Sequence, residues 1–298
     1  MSQVHQFVKA HDYACWCGQT AARTFCKQMV LGRQFVVLEC DDCHTQRILP
    51  KALSEQGSAE TLYNEYEMPD YAHDHEEQFI ASMLKRFQET GVGLGQGKKV
   101  LDVGCGSGVL LETVCRQFSC AGTGIDVDQR RIAKAKARSR QATFRCELFD
   151  GTNIGEKFDT ILSIAVIEHV IDPPGLLKQF HSALADDGSM FLLTPNARSL
   201  NYRLLRSWWR ELLSLGEHIY LFTPESLELC ARQAGFELVK CSSDFDWGPL
   251  ELRVRDLRSA LIWLWAIYCK SVKRLSSCLA SRQGGDILYA HFKKVKTG

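Results

Sequence analysis

The chain has 298 residues, 45% of them hydrophobic and 24% charged, with a formal charge of +1 at pH 7. Its length holds one large domain and a small one, and its composition is ordinary for a soluble globular protein. So balanced a charge gives no general electrostatic basis for gripping nucleic acid, which is not an expected partner.

No apolar segment follows a basic start, so no secretory signal is expected. Thirteen cysteines in that setting suggest reduced thiols and a metal in the cytoplasm, not a disulfide framework. Cys15, Cys17, Cys26, Cys40 and Cys43 lie among short β-type runs such as Gln34–Leu38. Two cysteine pairs around a strand-rich loop read as a zinc ribbon over residues 1–58, with Cys15, Cys17, Cys40 and Cys43 as a tetrahedral thiolate set for structural Zn2+. Gly18 supplies the turn after the first pair. That pair is C-x-C, tighter than the C-x-x-C of Cys40 and Cys43, so Cys26 and His44 stand as substitute ligands. Buried cysteines without a metal are the plainer alternative.

Residues 51–72 form a polar connector with Tyr63, Tyr66 and Tyr71. From His73 to Thr90, the residues Phe79, Ile80, Met83, Leu84 and Phe87 recur at helical spacing and predict an amphipathic lid helix over 73–90.

Val100-Leu101-Asp102-Val103 then reads as a buried parallel strand, and Gly104, Gly106 and Gly108 follow at alternate positions before an amphipathic run. Strand, tight turn and helix start make the unit that binds a nucleoside cofactor. The spacing is G-x-G-x-G, not the G-x-G-x-x-G of a dinucleotide site. Asp102 also places a carboxylate where a pyrophosphate would be repelled. A ligand with a ribose and a cationic or zwitterionic part suits this turn, and S-adenosylmethionine has both.

Downstream, strands and helices alternate as in a parallel sheet. Strands are predicted at Lys99–Val103, Thr123–Asp126, Thr143–Cys146, Phe158–Ser163, Ser189–Leu193, Glu237–Cys241 and Ile287–Phe292. Helices are predicted at Val109–Gln117, Gln129–Ser139, Pro174–Leu184 and Pro224–Ala234, with Gly188 and Gly235 at helix-to-strand turns. The expected fold is α/β, a Rossmann-like seven-stranded mostly parallel sheet with helices on both faces over 59–298, plus the small N-terminal ribbon.

An interruption at 250–282 has its own character. Ala260–Cys269 is apolar all round and flanked by Arg253, Arg255 and Arg258 on one side and Lys270, Lys273 and Arg274 on the other. It is too short to cross a bilayer. A helix lying peripherally at the membrane surface, or holding a lipid-like substrate, is one reading. A helix buried against the core or in a homodimer contact is the other.

Taken in order, VLDVGCGSG at 100–108, GIDVD at 124–128, FDTILSIAVIEHVIDP at 158–173, LLTPN at 192–196, GEHIYLFTPESL at 216–227 and AGFELV at 234–239 resemble the class I S-adenosylmethionine-dependent methyltransferases. The nearest likeness is to a zinc-ribbon-bearing branch similar to the ubiquinone-pathway O-methyltransferases. By that resemblance, Asp102, Gly104, Cys105, Gly106 and Gly108 cradle the methionine end of the cofactor. Asp126, with Val127 after it, receives both ribose hydroxyls. Glu147 and Leu148 take the adenine, with Asp150 competing for the acid's role. Ile164 and Ala165 line the methionine moiety.

Methyl transfer is an in-line displacement, so the protein must align the acceptor and remove its proton. A neutral histidine suits that task. His218 is the first candidate, because it follows the Trp208-Trp209 segment expected to roof the acceptor pocket, and Glu217 could orient it. His169, after the Glu168 that precedes it, is the second. A satisfied core histidine is the bland reading of each. His73, His75, Tyr63 and Tyr66 are weaker candidates for acceptor contact.

The function expected is methyl transfer to a small-molecule acceptor, by preference to oxygen of an amphiphilic, glycan or secondary-metabolite substrate. C-methylation of a nucleotide-linked sugar is the alternative within enzymes. A membrane-surface or scaffold protein that binds cofactor without turnover is the alternative outside them.

Overall fold

The computed structural model describes residues 15–30, 33–48, 76–151, 154–205, 218–245 and 284–296. The connector 51–72, residues 73–75, Trp208, Trp209, Glu217 and the 250–282 segment lie outside the described residues.

The ribbon strands are β1 (Ala22–Val30), β2 (Arg33–Cys40) and β3 (Gln46–Ile48). After α1 (Glu76–Thr90) come β4 (Lys99–Val103), α2 (Val109–Phe118), β5 (Ala121–Asp126), α3 (Gln129–Arg138), β6 (Ala142–Cys146) and β7 (Phe158–Ile164). A 3-10 turn at Ile167–His169 leads to α4 (Pro173–Ala183), β8 (Leu184–Pro195) and α5 (Leu200–Leu205). The chain continues through β9 (Tyr220–Leu221), α6 (Pro224–Gln233), β10 (Phe236–Asp244) and β11 (Ile287–Lys294).

The main sheet has the strand order β10-β11-β8-β7-β4-β5-β6. From β8 through β6 every pair is parallel, whereas β11 runs antiparallel between β8 and β10. All seven predicted core strands are present. Insertion of the last strand between two earlier ones is a long-range pairing that no local pattern announces.

Alternation along the strands shows why both faces are covered. Leu101, Ile161, Met190 and Leu192 join one apolar cluster with Leu177 and Phe180 of α4 and Leu227 of α6. Their neighbours Val100, Leu162, Phe191 and Leu193 join a second cluster with Met83 and Phe87 of α1, Val114 of α2 and Ile132 of α3. Side chains of a strand point to opposite faces in turn, so two clusters from alternating residues mean helices on both sides.

Local chemistry fixes the helix ends. The Asp128 carboxylate accepts from the amides of Arg130 and Arg131 to start α3, and Asp172 accepts from Gly175 to start α4. Thr223 and Ser226 form a reciprocal capping box ahead of α6, with Pro224 in its first turn. Gly235, at φ +87°, ends that helix in the left-handed region as expected. Gly188 does not share that role. It lies within β8 and lacks positive φ, because Leu184 already adopts extended backbone directly after α4.

Helix α1 is anchored to the sheet by more than apolar contact. Arg86, almost fully buried, pairs with Asp244 of β10 at 3.1 Å, and its guanidinium lies 5.5 Å from the Tyr289 ring centroid. Phe87 meets Phe191 edge-on with centroids 4.8 Å apart.

The ribbon is not separate from the rest. Its sheet has the order β1-β2-β3-β9, so a strand from the C-terminal half completes it. Gln46 pairs with Leu221 and Arg47 with Tyr220. Trp16 packs on Tyr220 and Phe222 with centroids 5.1 and 5.5 Å away, and the Tyr202 hydroxyl donates to Gln46 Oε1. Thr223 joins both units, since its hydroxyl accepts from Ser226 and donates to the Cys43 carbonyl at 3.1 Å. Thr223→Ala should therefore lower unfolding stability by about 1–2 kcal/mol, the scale of a lost helix cap, and Thr223→Ser should restore most of it. Urea unfolding of the three proteins checks this; an unchanged midpoint in the alanine variant would remove Thr223 as the joint.

Candidate active site

Strand order reverses at β4, because the chain moves outward to β5 and β6 on one side and to β7 and β8 on the other. A crevice opens at such a switch point beyond the C-terminal strand ends. The predicted cofactor residues lie in the C-terminal parts of β4, β5 and β7 and on the loops that follow β4, β5, β6 and β7.

The turn after β4 is held by its neighbour. Gly104 and Cys105 donate their amides to the Ile125 carbonyl at 2.8 and 3.1 Å, and Gly106 donates to Asp126 Oδ2 at 2.8 Å. Asp126 Oδ1 accepts from the Asp128 amide, also at 2.8 Å. Each carboxylate oxygen has thereby used one lone pair and keeps capacity for another donor, such as a sugar hydroxyl.

The three glycines are required for different reasons. All have positive φ, at +79°, +54° and +74° for Gly104, Gly106 and Gly108. A Cβ on Gly104 would collide with Val166, and one on Gly108 with Phe144. At Gly106 it would meet nothing within 4 Å. Protein packing excludes side chains at the outer two, whereas the middle one borders open space, where a ligand can approach the backbone.

Around this turn the other predicted residues divide. Val127, Glu147 and Leu148 are exposed, Leu148 by 80%, and Glu147 donates its amide to the Asp126 carbonyl at 3.1 Å. Ile164 is half-buried, and Ala165 is exposed with φ +54°, uncommon for a residue bearing a Cβ. Cys105 turns its thiol inward, where burial, with Asp102 and Asp126 nearby, pushes its pKa well up. Only its backbone belongs to the turn.

Asp102 is buried near the end of β4. Burial, with the neighbouring Asp126 charge second, pushes its pKa up to about 7. A cation placed beside it favours the ionised form.

A second cluster lies on the 3-10 turn after β7 and the segment before β9. His169 and His218 come together with ring centroids 4.9 Å apart at 50°. Glu168 joins them, and one ligand atom from each of the three lies within 4.8 Å of the others. The Ile219 amide donates to the Glu168 carbonyl at 2.7 Å, tying the segment after β7 to the segment before β9. Thr194 donates to Glu168 Oε2 at 3.0 Å. Glu217, expected to orient His218, lies outside the described residues; Glu168 is the carboxylate found beside both rings. The adjacent Glu-His pair after a buried strand was the available signal, but nothing in the sequence tells which later histidine it meets.

In the ribbon, Cys15, Cys17, Cys40 and Cys43 gather with all four sulfurs within 4.8 Å of one another. The Cys15–Cys43 and Cys17–Cys40 Sγ separations are 3.4 and 3.5 Å, near the ~3.8 Å edge of a tetrahedron with Zn–S bonds of ~2.3 Å. Left-handed residues, Gly18 at φ +86° and His44 at φ +58°, follow each pair and turn the chain. The hydrogen bond from Cys15, helped by Thr45, holds the Cys43 thiol down to about 5. His44 is not a member of the set: its Nδ1 lies 3.3 Å from Glu39. The predicted quartet is the one the fold assembles among the described residues.

One pH effect follows from Asp102. Its folded value of about 7 lies above the ordinary 3.8, so the folded state holds the proton more tightly. The resulting stability is complete below about pH 4 and is lost as pH rises through about 7, by an amount on the order of 4 kcal/mol. Asp102→Asn should flatten that decline. Unfolding midpoints of both proteins from pH 5 to 8 measure it, and parallel curves would exclude Asp102 as the source.

Residues 71–241 match the family described as Methyltransferase domain. The chain is 32% identical over 172 residues to a ubiquinone biosynthesis O-methyltransferase of Psychrobacter arcticus, covering 53% of this chain and 65% of that protein. It is 29% identical over 165 residues to a protein of the same name from Pseudomonas aeruginosa, covering 52% and 70%. In its fold it is similar to the plantazolicin methyltransferase BamL, crystallised with a triazolic desmethylPZN analogue and SAH, at TM-score 0.54 and 17% identity over 83% of this chain and 97% of that one. With the glycine turn, the acid closing the next strand and the mostly parallel sheet in place, this chain belongs to the class I S-adenosylmethionine-dependent methyltransferases.

Proposed function

We propose that the protein binds S-adenosylmethionine in the crevice at β4 and β5 and methylates an oxygen of a small-molecule acceptor entering beside His169 and His218. The single observation carrying this reading is the Asp126 carboxylate, fixed by the Gly106 and Asp128 amides at the edge of open space. When bound, the cofactor supplies a methyl group on a sulfonium, already activated for displacement.

The residues present fit that group. Asp126 receives the ribose hydroxyls through its remaining lone pairs, and Leu148 with Val127 flanks the base. Asp102 complements the positive charge of the ligand's amino-acid end and loses its proton when that charge arrives. The Glu168–His169–His218 cluster faces the acceptor and takes up the proton that the attacking oxygen must lose, with His218 its first candidate. Oxygen as the attacking atom is favoured by the named relatives, which are O-methyltransferases.

Asp126→Ala should weaken binding of S-adenosylmethionine and S-adenosylhomocysteine about 100-fold, two charge-assisted hydrogen bonds being worth roughly 3 kcal/mol together. Calorimetric titration of the wild-type and variant proteins reads this directly. Absence of binding by the wild type would end the proposal.

We assign Zn2+ to the four ribbon cysteines, on the donor set and its near-tetrahedral spacing. The ribbon pairs with β9, which begins two residues after His218, so its order is transmitted to the acceptor side. Cys40→Ser with Cys43→Ser should remove zinc from the purified chain and lower acceptor turnover at least tenfold, with S-adenosylhomocysteine affinity retained. Metal analysis, turnover and calorimetry are compared. Full zinc content in the double variant would refute the ligand set.

A further inference from the structure

We infer that Arg47 of the ribbon reads the acceptor, and that the acceptor carries an oxyanion, a carboxylate or a phosphate. The inference rests on the reading that the acceptor enters beside His169 and His218.

Arg47 stands on β3 opposite Tyr220 of β9, which follows His218 by two residues. The Tyr220 hydroxyl donates to the Ile171 carbonyl at 3.3 Å, and Ile171 follows His169 by two residues. The segments 168–171 and 218–220 therefore meet twice, once through the two imidazoles and once through Tyr220. At this second meeting point the Arg47 guanidinium lies over the Tyr220 ring, 5.7 Å from its centroid. Ile171, 59% exposed, leaves apolar surface on the same loop.

The positive charge there is uncompensated. Arg23, on another ribbon strand, pairs with Glu39, but among the described residues no carboxylate comes within 4.0 Å of Arg47. Asp172 acts on the Tyr220 hydroxyl from a distance, as Arg47 does, yet its carboxylate accepts from the Gly175 amide and makes no ion pair with Arg47. Arg47 Nε is buried and has no hydrogen-bond partner. The same is true of the Trp16 indole nitrogen, whose ring packs on the same tyrosine with centroids 5.1 Å apart. Donors removed from water thus outnumber acceptors around Tyr220. A partly desolvated cation in such a place gains most from a negatively charged acceptor of hydrogen bonds.

The side chain is suited to that ligand. A guanidinium is planar, stays charged, and matches the paired oxygens of a carboxylate or phosphate. Stacking over Tyr220 holds its plane, so less freedom is lost when an anion binds. Arg47 is half-buried, which leaves its terminal nitrogens open to a ligand while Nε stays dry. An acceptor gripped by its anionic group is oriented, not activated. Arg47 is therefore a specificity residue, and proton removal stays with the histidines.

The test uses the full zinc-loaded chain saturated with S-adenosylhomocysteine and titrated calorimetrically with benzoate, phenyl phosphate and neutral benzyl alcohol. We expect one of the two anions to bind about tenfold more tightly than benzyl alcohol, and the tighter anion identifies the group. Arg47→Gln should weaken that anion about tenfold and leave benzyl alcohol unchanged, a charge-selective loss that a packing role does not produce. Arg47→Lys should recover part of it, because the charge remains and the planar fork is gone. Zinc content and S-adenosylhomocysteine affinity show that ribbon and crevice are intact in each variant. Should Arg47→Gln lose zinc, the ratio of anion to neutral affinity in Arg47→Lys decides: a fall supports the inference, and an unchanged ratio overturns it. Equal binding of all three probes, no binding of either anion, or an anion affinity unchanged in Arg47→Gln also overturns it. So does a loss in that variant that falls alike on anion and alcohol. In each of these cases the proposed function stands. Loss of S-adenosylhomocysteine binding by the wild type would instead overturn that function.

Discussion

The crevice depends on one carboxylate. Asp126 ends β5, yet it bonds to the Gly106 amide of the preceding turn and to the Asp128 amide of the following one. A chain entering a left-handed turn three times in five residues needs an external constraint, and a charged acceptor within 2.8 Å of an amide supplies one. The same two bonds leave one lone pair on each carboxylate oxygen, and in the proposed function these take the ribose hydroxyls, so that structural and binding roles would coincide at Asp126.

Two acids share this small volume. Asp102 is buried near the end of β4 and Asp126 closes β5, and burial together with the Asp126 charge pushes the pKa of Asp102 up to about 7. A neutral Asp102 relieves repulsion in the free protein, and an incoming cation reverses the balance. In the proposed function this arrangement would favour a ligand that brings a positive charge to Asp102.

Docking of the ribbon explains how a small cysteine-rich unit bears on a site otherwise built from the large sheet. β3 hydrogen-bonds to β9, the Cys43 carbonyl receives the Thr223 hydroxyl, and Trp16 stacks on Phe222. His218 stands two residues before Tyr220 in β9. Its approach to His169 thus depends on a backbone segment clasped from both sides, by the ribbon and by Glu168. A four-strand sheet completed by a borrowed strand also hides an edge that would otherwise be open to pairing with other chains.

Much of this was legible in the sequence. The alternation of strands and helices, the glycine turn, Asp126 and the four ribbon cysteines all rest on local spacing, since period, turn conformation and ligand separation are encoded within a few residues. Lys99–Val103 is predicted and observed with the same limits, and Gly235 ends its helix for the reason its conformation gives. Gly188 misled, because a glycine between a helix and a strand marks a cap only when the backbone turns left-handed there. What the tertiary structure alone decided are pairings across long stretches of chain: β11 between β8 and β10, β9 in the ribbon's sheet, and Glu168 against His218. Such contacts are selected by the packing of whole faces, and a residue's near neighbours carry no record of them.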